Sequence, residues 1–343
     1  MTAADNERWR VLVADSEYAE TASQLAADYE NLEVVCAVED QSVQDLADGS
    51  FDALIVQSVR VDEALLDRLS SLKSILKVGR NYENVDVAAV RRRGLTFACA
   101  PRKGPNCVAE LALTLAMALS KDLLVSHDSV ASGAYRLRGL KPEKSAQWKM
   151  AFHWMHNTRV HEVHGKVLGI VGMGEIGSEL ARRASVMGMR NLYYKRNPLD
   201  DELERLFSAE YRDLPALLSE SDYVCLAVPH TAETEGMIGR DQFAQMKETA
   251  FLVNICRGGV VDEDAMIDAL RNGSIAGAGL DVFTYEPLPT ESPLCHLDNV
   301  LLTPHIGGGT GTNRSIELGA ALDEIEQILS GEKPHVDLTK PPA

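Results

Sequence analysis

Short continuous apolar runs alternate with helical spacings along this chain. WRVLVAD at residues 9–15, LEVVCAV, DALIVQS, LKSILKVGR ending at Arg80, and LTFACA read as buried strands, with helices such as YAETASQLAADY and VDVAAVRRRG, closed by Gly94, between them. Unbroken apolar runs mean strands covered on both faces, so this part predicts a parallel open sheet of its own. Residues 106–133 keep one helical pattern, which at 1.5 Å per residue gives about 40 Å of helix, enough to bridge two domains. From residue 165 strands resume through KVLGIV, NLYYK, SDYVCLAVP, TAFLVNICRG, AGAGLDVF and NVLLTPHIGG. A last amphipathic helix, roughly Thr312 to Leu329, follows that second sheet and is expected to return to the first. The pattern predicts an α/β fold of two doubly wound open parallel-sheet domains. Residues 1–115, completed by 310–343, form the discontinuous one, and 116–309 the other.

The stretch GKVLGIVGMGEIGSELARRA, residues 165–184, joins a strand, a tight turn and a helix beginning near Glu175. Gly172, Gly174 and Gly177 carry the G-x-G-x-x-G spacing of a Rossmann dinucleotide site. Gly172 permits the turn, Gly174 leaves room for a pyrophosphate, and Gly177 lets the helix pack close, with its positive N-terminus toward the phosphates. About 20 residues on, an NAD site keeps an acid for the adenosine ribose. Here Lys195 and Arg196 stand in its place. Two cations suit the 2′-phosphate of NADP; the alternative is a solvated basic pair after a strand, with NAD as cofactor.

Composition limits the partners. The chain has 343 residues, 45% hydrophobic and 25% charged, with 34 Lys and Arg against 51 Asp and Glu, a formal net charge of -17. Such a surface repels nucleic acid and anionic membranes, so anionic ligands must meet local cations. The six cysteines show no C-x-x-C spacing and sit mostly in apolar runs, as reduced thiols do, and no basic leader or membrane-length apolar run is present. A cytoplasmic protein is expected. The irregular segment 134–164 holds Trp148, Trp154 and histidines 153, 156, 161 and 164. Its His-x-x-His pairs lack further ligands for a metal, whereas its aromatic content suits packing on a second subunit, so a homodimer and no metal are expected.

Three late segments place polar residues after strands, where open α/β sheets present ligand crevices. They are NICRGGVVDE with Arg257, GLDVFTYEPLP with Asp281 and Glu286, and LLTPHIGGG with His305. Together with GMGEIG, they resemble the D-2-hydroxyacid dehydrogenase family, over nearly the whole chain and in order. The resemblance implies a catalytic set of Arg257, Glu286 and His305. The chemistry of these side chains suits it. Hydride reduction of a 2-keto acid leaves charge on the carbonyl oxygen, which His305 can protonate while Glu286 holds its other ring nitrogen. Arg257 can grip the substrate carboxylate and face the oxyanion.

The resemblance also implies cofactor contacts at Glu175 and Ile176, at Val228, Pro229 and His230, at Ile255, Cys256 and Arg257, at Asp281 beside the nicotinamide amide, and at His305 and Gly307. It implies a carboxylate cradle of backbone amides in KVGRNYENVD, where Gly79 is kept but Arg80 follows and Asn81 replaces a second glycine. Asparagine tolerates left-handed backbone, so the cradle is expected to survive, and Arg80 adds a charge near the substrate. The two cations after the second strand look like the NADP-using glyoxylate and hydroxypyruvate reductases. Pro304 before His305 argues against formate dehydrogenase. An NAD-dependent phosphoglycerate dehydrogenase stays open, although the chain ends too soon for that enzyme's longer form. So does a nucleotide-sensing corepressor on the same fold, which the intact Arg, Glu and His set disfavours.

Overall fold

The computed structural model describes residues 8–39, 43–47, 50–145, 154–308 and 314–339. The first alternation runs β1 Trp9–Val13, α1 Ala19–Leu25, β2 Leu32–Cys36, α2 Val43–Leu46, β3 Ala53–Val56, α3 Glu63–Arg68, β4 Ser74–Val78, α4 Val87–Arg92 and β5 Thr96–Ala100. Two helices follow, α5 Lys103–Ser120 and α6 Leu123–Ala131. The second alternation runs β6 Val167–Val171, α7 Glu175–Val186, β7 Arg190–Tyr194, α8 Asp201–Phe207, β8 Ala209–Tyr211, α9 Leu214–Glu220, β9 Tyr223–Leu226, α10 Arg240–Phe243, β10 Phe251–Asn254, α11 Glu263–Asn272, β11 Gly277–Leu280 and β12 Val300–Leu302, and α12 Arg314–Leu329 closes the fold.

Among the described residues every pairing between these strands is parallel. The first sheet has the order β2-β1-β3-β4-β5 and the second β12-β11-β10-β9-β6-β7-β8. Two compact units result: unit 1 is Met1–Pro105, Leu199–Leu206 and Thr310–Ala343, and unit 2 is Asn106–Pro198 and Phe207–Gly309. In unit 1, α12 lays Leu318, Ala321, Leu322 and Ile325 on a core with Val11, Val13, Ile55, Leu76 and Val78. Burying each of these Leu, Ile and Val side chains favours folding by roughly 1.5–3 kcal/mol. The helices start from a repeated device: the carboxylates of Asp62, Asp86, Asp213 and Asp262 accept the amides of Leu65, Ala89, Ala216 and Ala265 at 2.8–3.1 Å. Among the described residues no helix is long and apolar enough to cross a membrane.

Three local expectations change. The single helix over 106–133 is two, because Asp122 adopts a left-handed φ of 45° between α5 and α6. Its carboxylate is held by Asn157 Nδ2 at 2.7 Å and Arg159 Nη2 at 2.8 Å, partners far along the chain that helical periodicity does not register. At 18 residues, α5 spans about 27 Å instead of about 40 Å. The edge strand β8 has only three residues and went unread. In KVGRNYENVD the left-handed residue is Gly79, with φ 104°, and Asn81 is not left-handed. Asn81 instead accepts the Glu83 amide on its own Oδ1 at 3.2 Å, an Asx turn.

Of the segment 134–164, Trp148 and His153 lie outside the described residues. Trp154 meets Tyr135 edge-on, with ring centroids 5.9 Å apart. His161 has a structural role: its Nε2 is 2.8 Å from the Tyr223 hydroxyl and its ring stacks on Phe251.

Candidate active site

In unit 2 the sequence-predicted residues collect in the loops that follow the strands. After β6, Gly172 has φ 106°, and a Cβ there would lie 2.5 Å from Ala227 O, so no other residue fits. A Cβ on Gly177 would lie 2.2 Å from Gly172 O, which explains how closely α7 approaches the turn. At Gly174 the corresponding position meets nothing within 4 Å. The opening therefore lies at Gly174, before the amides of Glu175 and Ile176 that start α7. A backbone opening at the N-terminus of a three-turn helix suits a pyrophosphate, so the residues present fit a dinucleotide. Val228, after β9, borders the same turn, with Cγ1 at 2.8 Å from where a Gly172 Cβ would stand. Pro229 and His230 follow, and His230 pairs with Glu235. Lys195, half-buried, and Arg196, exposed, follow β7.

After β10 the chain turns around Asn254, which the sequence reading did not single out. Its Oδ1 accepts the Cys256 amide at 3.1 Å and its Nδ2 donates to Arg257 O at 3.1 Å. Ile255 and Cys256 are buried, and burial pushes the Cys256 thiol above its ordinary range despite neighbouring amides and Arg257. Arg257 faces outward and donates Nη1 to Cys256 O at 2.6 Å. With five N–H groups, its guanidinium has further donors for an anion.

The loops after β11 and β12 form one hydrogen-bonded assembly. Asp281, 1% exposed, accepts the Ile306 amide at 2.9 Å and the Thr303 hydroxyl at 2.6 Å on Oδ1, and the Gly307 amide at 2.8 Å on Oδ2. Between these contacts His305 takes a left-handed φ of 53°. Its Nδ1 lies 2.6 Å from Glu286 Oε2, while Glu286 Oε1 accepts the Phe283 amide at 3.1 Å. Burial raises the Glu286 pKa, but the His305 hydrogen bond, the Phe283 amide and the charges of His305 and Arg257 outweigh it and hold the carboxyl below the ordinary range. An ionised Glu286 accepts from Nδ1–H, which leaves Nε2 to give or take a proton. With the His305 side chain 44% exposed, the pair is accessible. A hollow of about 490 Å³ adjoins it, walled by Phe283, Pro287, Leu288, Leu302 and Pro304.

Residues 114–307 match the family described as D-isomer specific 2-hydroxyacid dehydrogenase, NAD binding domain. The chain belongs to the D-isomer specific 2-hydroxyacid dehydrogenases. A glyoxylate reductase of Thermococcus gammatolerans is 43% identical over 260 residues, which are 76% of this chain and 74% of that protein. Glyoxylate/hydroxypyruvate reductase B of Enterobacter sp. is 36% identical over 305 residues, 87% of this chain and 90% of that protein. The solved structure of D-mandelate dehydrogenase from Rhodotorula graminis matches with a TM-score of 0.53 at 30% identity, over 98% of this chain and 99% of that one.

A 2-hydroxyacid dehydrogenase needs a dinucleotide site, a proton donor and a grip on a carboxylate, and the strand ends of this dehydrogenase offer candidates for each. Thr303 and Asn254 were missed in the sequence, although each is a polar residue in or just beyond an apolar strand. Asp281 was read only as a cofactor contact, yet its carboxylate orders the His305 loop. Asp281→Ala leaves the buried Gly307 amide without an acceptor, at about 1–3 kcal/mol, and frees the half-buried Ile306 amide to water. A loss of that size in urea titration, with turnover reduced more than tenfold, is the expected outcome; unchanged turnover in a folded variant refutes the loop-ordering role.

Proposed function

We propose that the protein is an NADPH-dependent 2-keto acid reductase of the glyoxylate or hydroxypyruvate type, with Arg257, Glu286 and His305 as its catalytic set. The observation that carries this reading is the His305–Glu286 pair at 2.6 Å, on a strand-end loop beside Arg257. The relatives named as glyoxylate and hydroxypyruvate reductases support the substrate class. The nicotinamide cofactor, when bound, supplies the hydride. His305 Nε2 supplies the proton that converts the keto oxygen to a hydroxyl, and Glu286 steadies the charged imidazole. Arg257 forks onto the substrate carboxylate, and the amides of Arg80 and Asn81, beyond a Gly79 whose own N–H is held by Ala100 O, cradle its oxygens. Asp281 and Gly307 flank the nicotinamide end. Arg80 offers a cation to a second polar group on the substrate, whereas the apolar hollow beside His305 favours a longer carbon chain. A screen of 2-keto acids with both reduced cofactors separates these. Quenching of bound NADPH fluorescence on adding a keto acid separates an enzyme from a nucleotide sensor, which leaves its ligand unoxidised.

Cofactor preference follows from Lys195 and Arg196. Losing a charge-assisted contact to the 2′-phosphate costs about 1.5–3 kcal/mol, or some tenfold to 150-fold in affinity. Lys195→Ala should therefore weaken NADPH and spare NADH. If kcat/KM for NADH equals or exceeds that for NADPH and the variant changes neither, Lys195 and Arg196 do not bind the 2′-phosphate.

His305→Ala should lose most of kcat while NADPH binding, followed by fluorescence, stays nearly intact. Because reduction consumes the imidazolium and oxidation needs the neutral ring, reduction falls and oxidation rises as pH increases. A variant that keeps wild-type kcat removes the histidine from the chemistry.

The proposal includes a homodimer built through residues 134–164 with Trp148 and Trp154. Leu123, Leu124 and Val130 on α6, with Leu137, Leu140 and Val160 after it, are exposed apolar side chains that support such an interface. Light scattering at micromolar concentration should give twice the chain mass, and Leu137→Glu should lower it. A monomeric wild type refutes the dimer.

A further inference from the structure

Unit 1 has the strand order β2-β1-β3-β4-β5, whose direction of winding reverses between β1 and β3. Sheets of this order hold their ligands at that switch point. Here the switch point holds a side chain of the protein itself. Asp15, just beyond β1 and 4% exposed, projects its carboxylate into the loop after β3. Oδ2 accepts the Gln57 amide at 2.5 Å, and Oδ1 accepts the Ser58 amide at 2.7 Å, the Val59 amide at 3.2 Å and the Ser58 hydroxyl at 2.5 Å. Three successive amides converging on one anion form a nest, and in this nest the anion is intramolecular.

The same loop grips the end of the glycine loop that follows β4. Asn84 Nδ2 donates to Val59 O at 2.6 Å and to Gln57 O at 3.4 Å. Val61 N donates to Asn84 O at 2.9 Å, Asp86 N donates to Val61 O at 2.8 Å, and Val61 and Val85 form a parallel bridge. At the other end of the loop, Gly79 N donates to Ala100 O at 2.7 Å. Residues 79–86 are thus fastened by β5 at their start and by residues 57–61 at their end. Residues 57–61 take their shape from Asp15.

We propose that Asp15 is a positioning residue for substrate binding: its carboxylate fills the anion nest at the switch point and, through residues 57–61 and Asn84, sets the geometry of the loop after Gly79, whose Arg80 and Asn81 amides take the keto-acid carboxylate. This rests on the reading of those amides as the substrate cradle. It also accounts for ligand binding after β4 in a sheet whose topology favours the β1/β3 crevice, since that crevice already holds an anion.

The test uses the full-length enzyme with Asp15→Ala, Asn84→Ala and Gly79→Ala, glyoxylate as substrate and formate as a replacement anion. A hollow of about 790 Å³ borders Asp15, Ser58 and Arg60 and gives formate access to the vacated nest. Weakening one amide hydrogen bond to the substrate carboxylate should raise KM about tenfold in the Asp15 and Asn84 variants, with NADPH affinity unchanged. Formate should lower the KM of Asp15→Ala alone, while in the wild type and Asn84→Ala it only competes with glyoxylate. A merely structural role for Asp15 gives no rescue of KM at constant folded fraction. Wild-type KM in either folded variant, or no formate response in Asp15→Ala, overturns the proposal. If Asp15→Ala does not fold, Asn84→Ala decides by the same KM. Gly79→Ala separates the two readings: if it too leaves KM unchanged, the cradle itself is misassigned, and if it alone raises KM, only the role of Asp15 fails.

Discussion

The grip of the Asp281 carboxylate on the amides of Ile306 and Gly307 is the interaction on which the candidate active site depends. A carboxylate taken out of water is costly unless each oxygen is hydrogen-bonded. Asp281 meets that condition only when the chain after β12 folds back over the end of β11, with the Thr303 hydroxyl completing the set. The requirement is reciprocal, since the amides also need an acceptor. What lies between the gripped residues is constrained to match, and His305 takes its left-handed backbone there. A left-handed histidine is uncommon, and such a conformation persists where the surroundings over-determine it. Glu286 then meets a ring whose origin is already set.

Unit 1 uses the same device independently. Asp15 lies beyond a strand end, is 4% exposed, and holds three amides of a neighbouring loop. In each unit the strands supply rigid parallel ends, and a buried aspartate turns the flexible chain beyond them into a shaped surface. Preorganised amides and charges lose little on binding, because their ordering cost is met during folding. The cofactor turn follows a different rule. Gly172 and Gly177 work by the absence of a side chain, so that backbone meets backbone.

Legibility in the sequence followed the range of each interaction. The β6 turn was readable because strand, glycine spacing and helix are contiguous, and the end of α4 because the left-handed Gly94 stands just past its capping residue Arg93. Arg257, Glu286 and His305 stand in ordered motifs, and the structure places His305 Nδ1 2.6 Å from Glu286 Oε2. What stayed hidden depended on partners distant in sequence. The break between α5 and α6 is held by Asn157 and Arg159, more than thirty residues past Asp122, and nothing within residues 106–133 signals it. Asn81 was judged by its backbone tolerance, but an Asx turn to Glu83 had the stronger local claim on it. The second use of Asp281 was invisible because an aspartate beyond a strand reads alike whether it faces a ligand or a neighbouring amide.

The net charge of -17 raises the question of how anionic ligands approach at all. At physiological ionic strength charges are screened beyond about 8 Å, so the repulsion felt at a loop is that of its near neighbours and not of the whole surface. Lys195 and Arg196 follow β7, Arg257 follows β10, and the α7 N-terminus adds its partial positive charge. In unit 1, Arg80 follows β4. Each of these groups places positive charge at its own strand end, within the distance over which a small anion feels it.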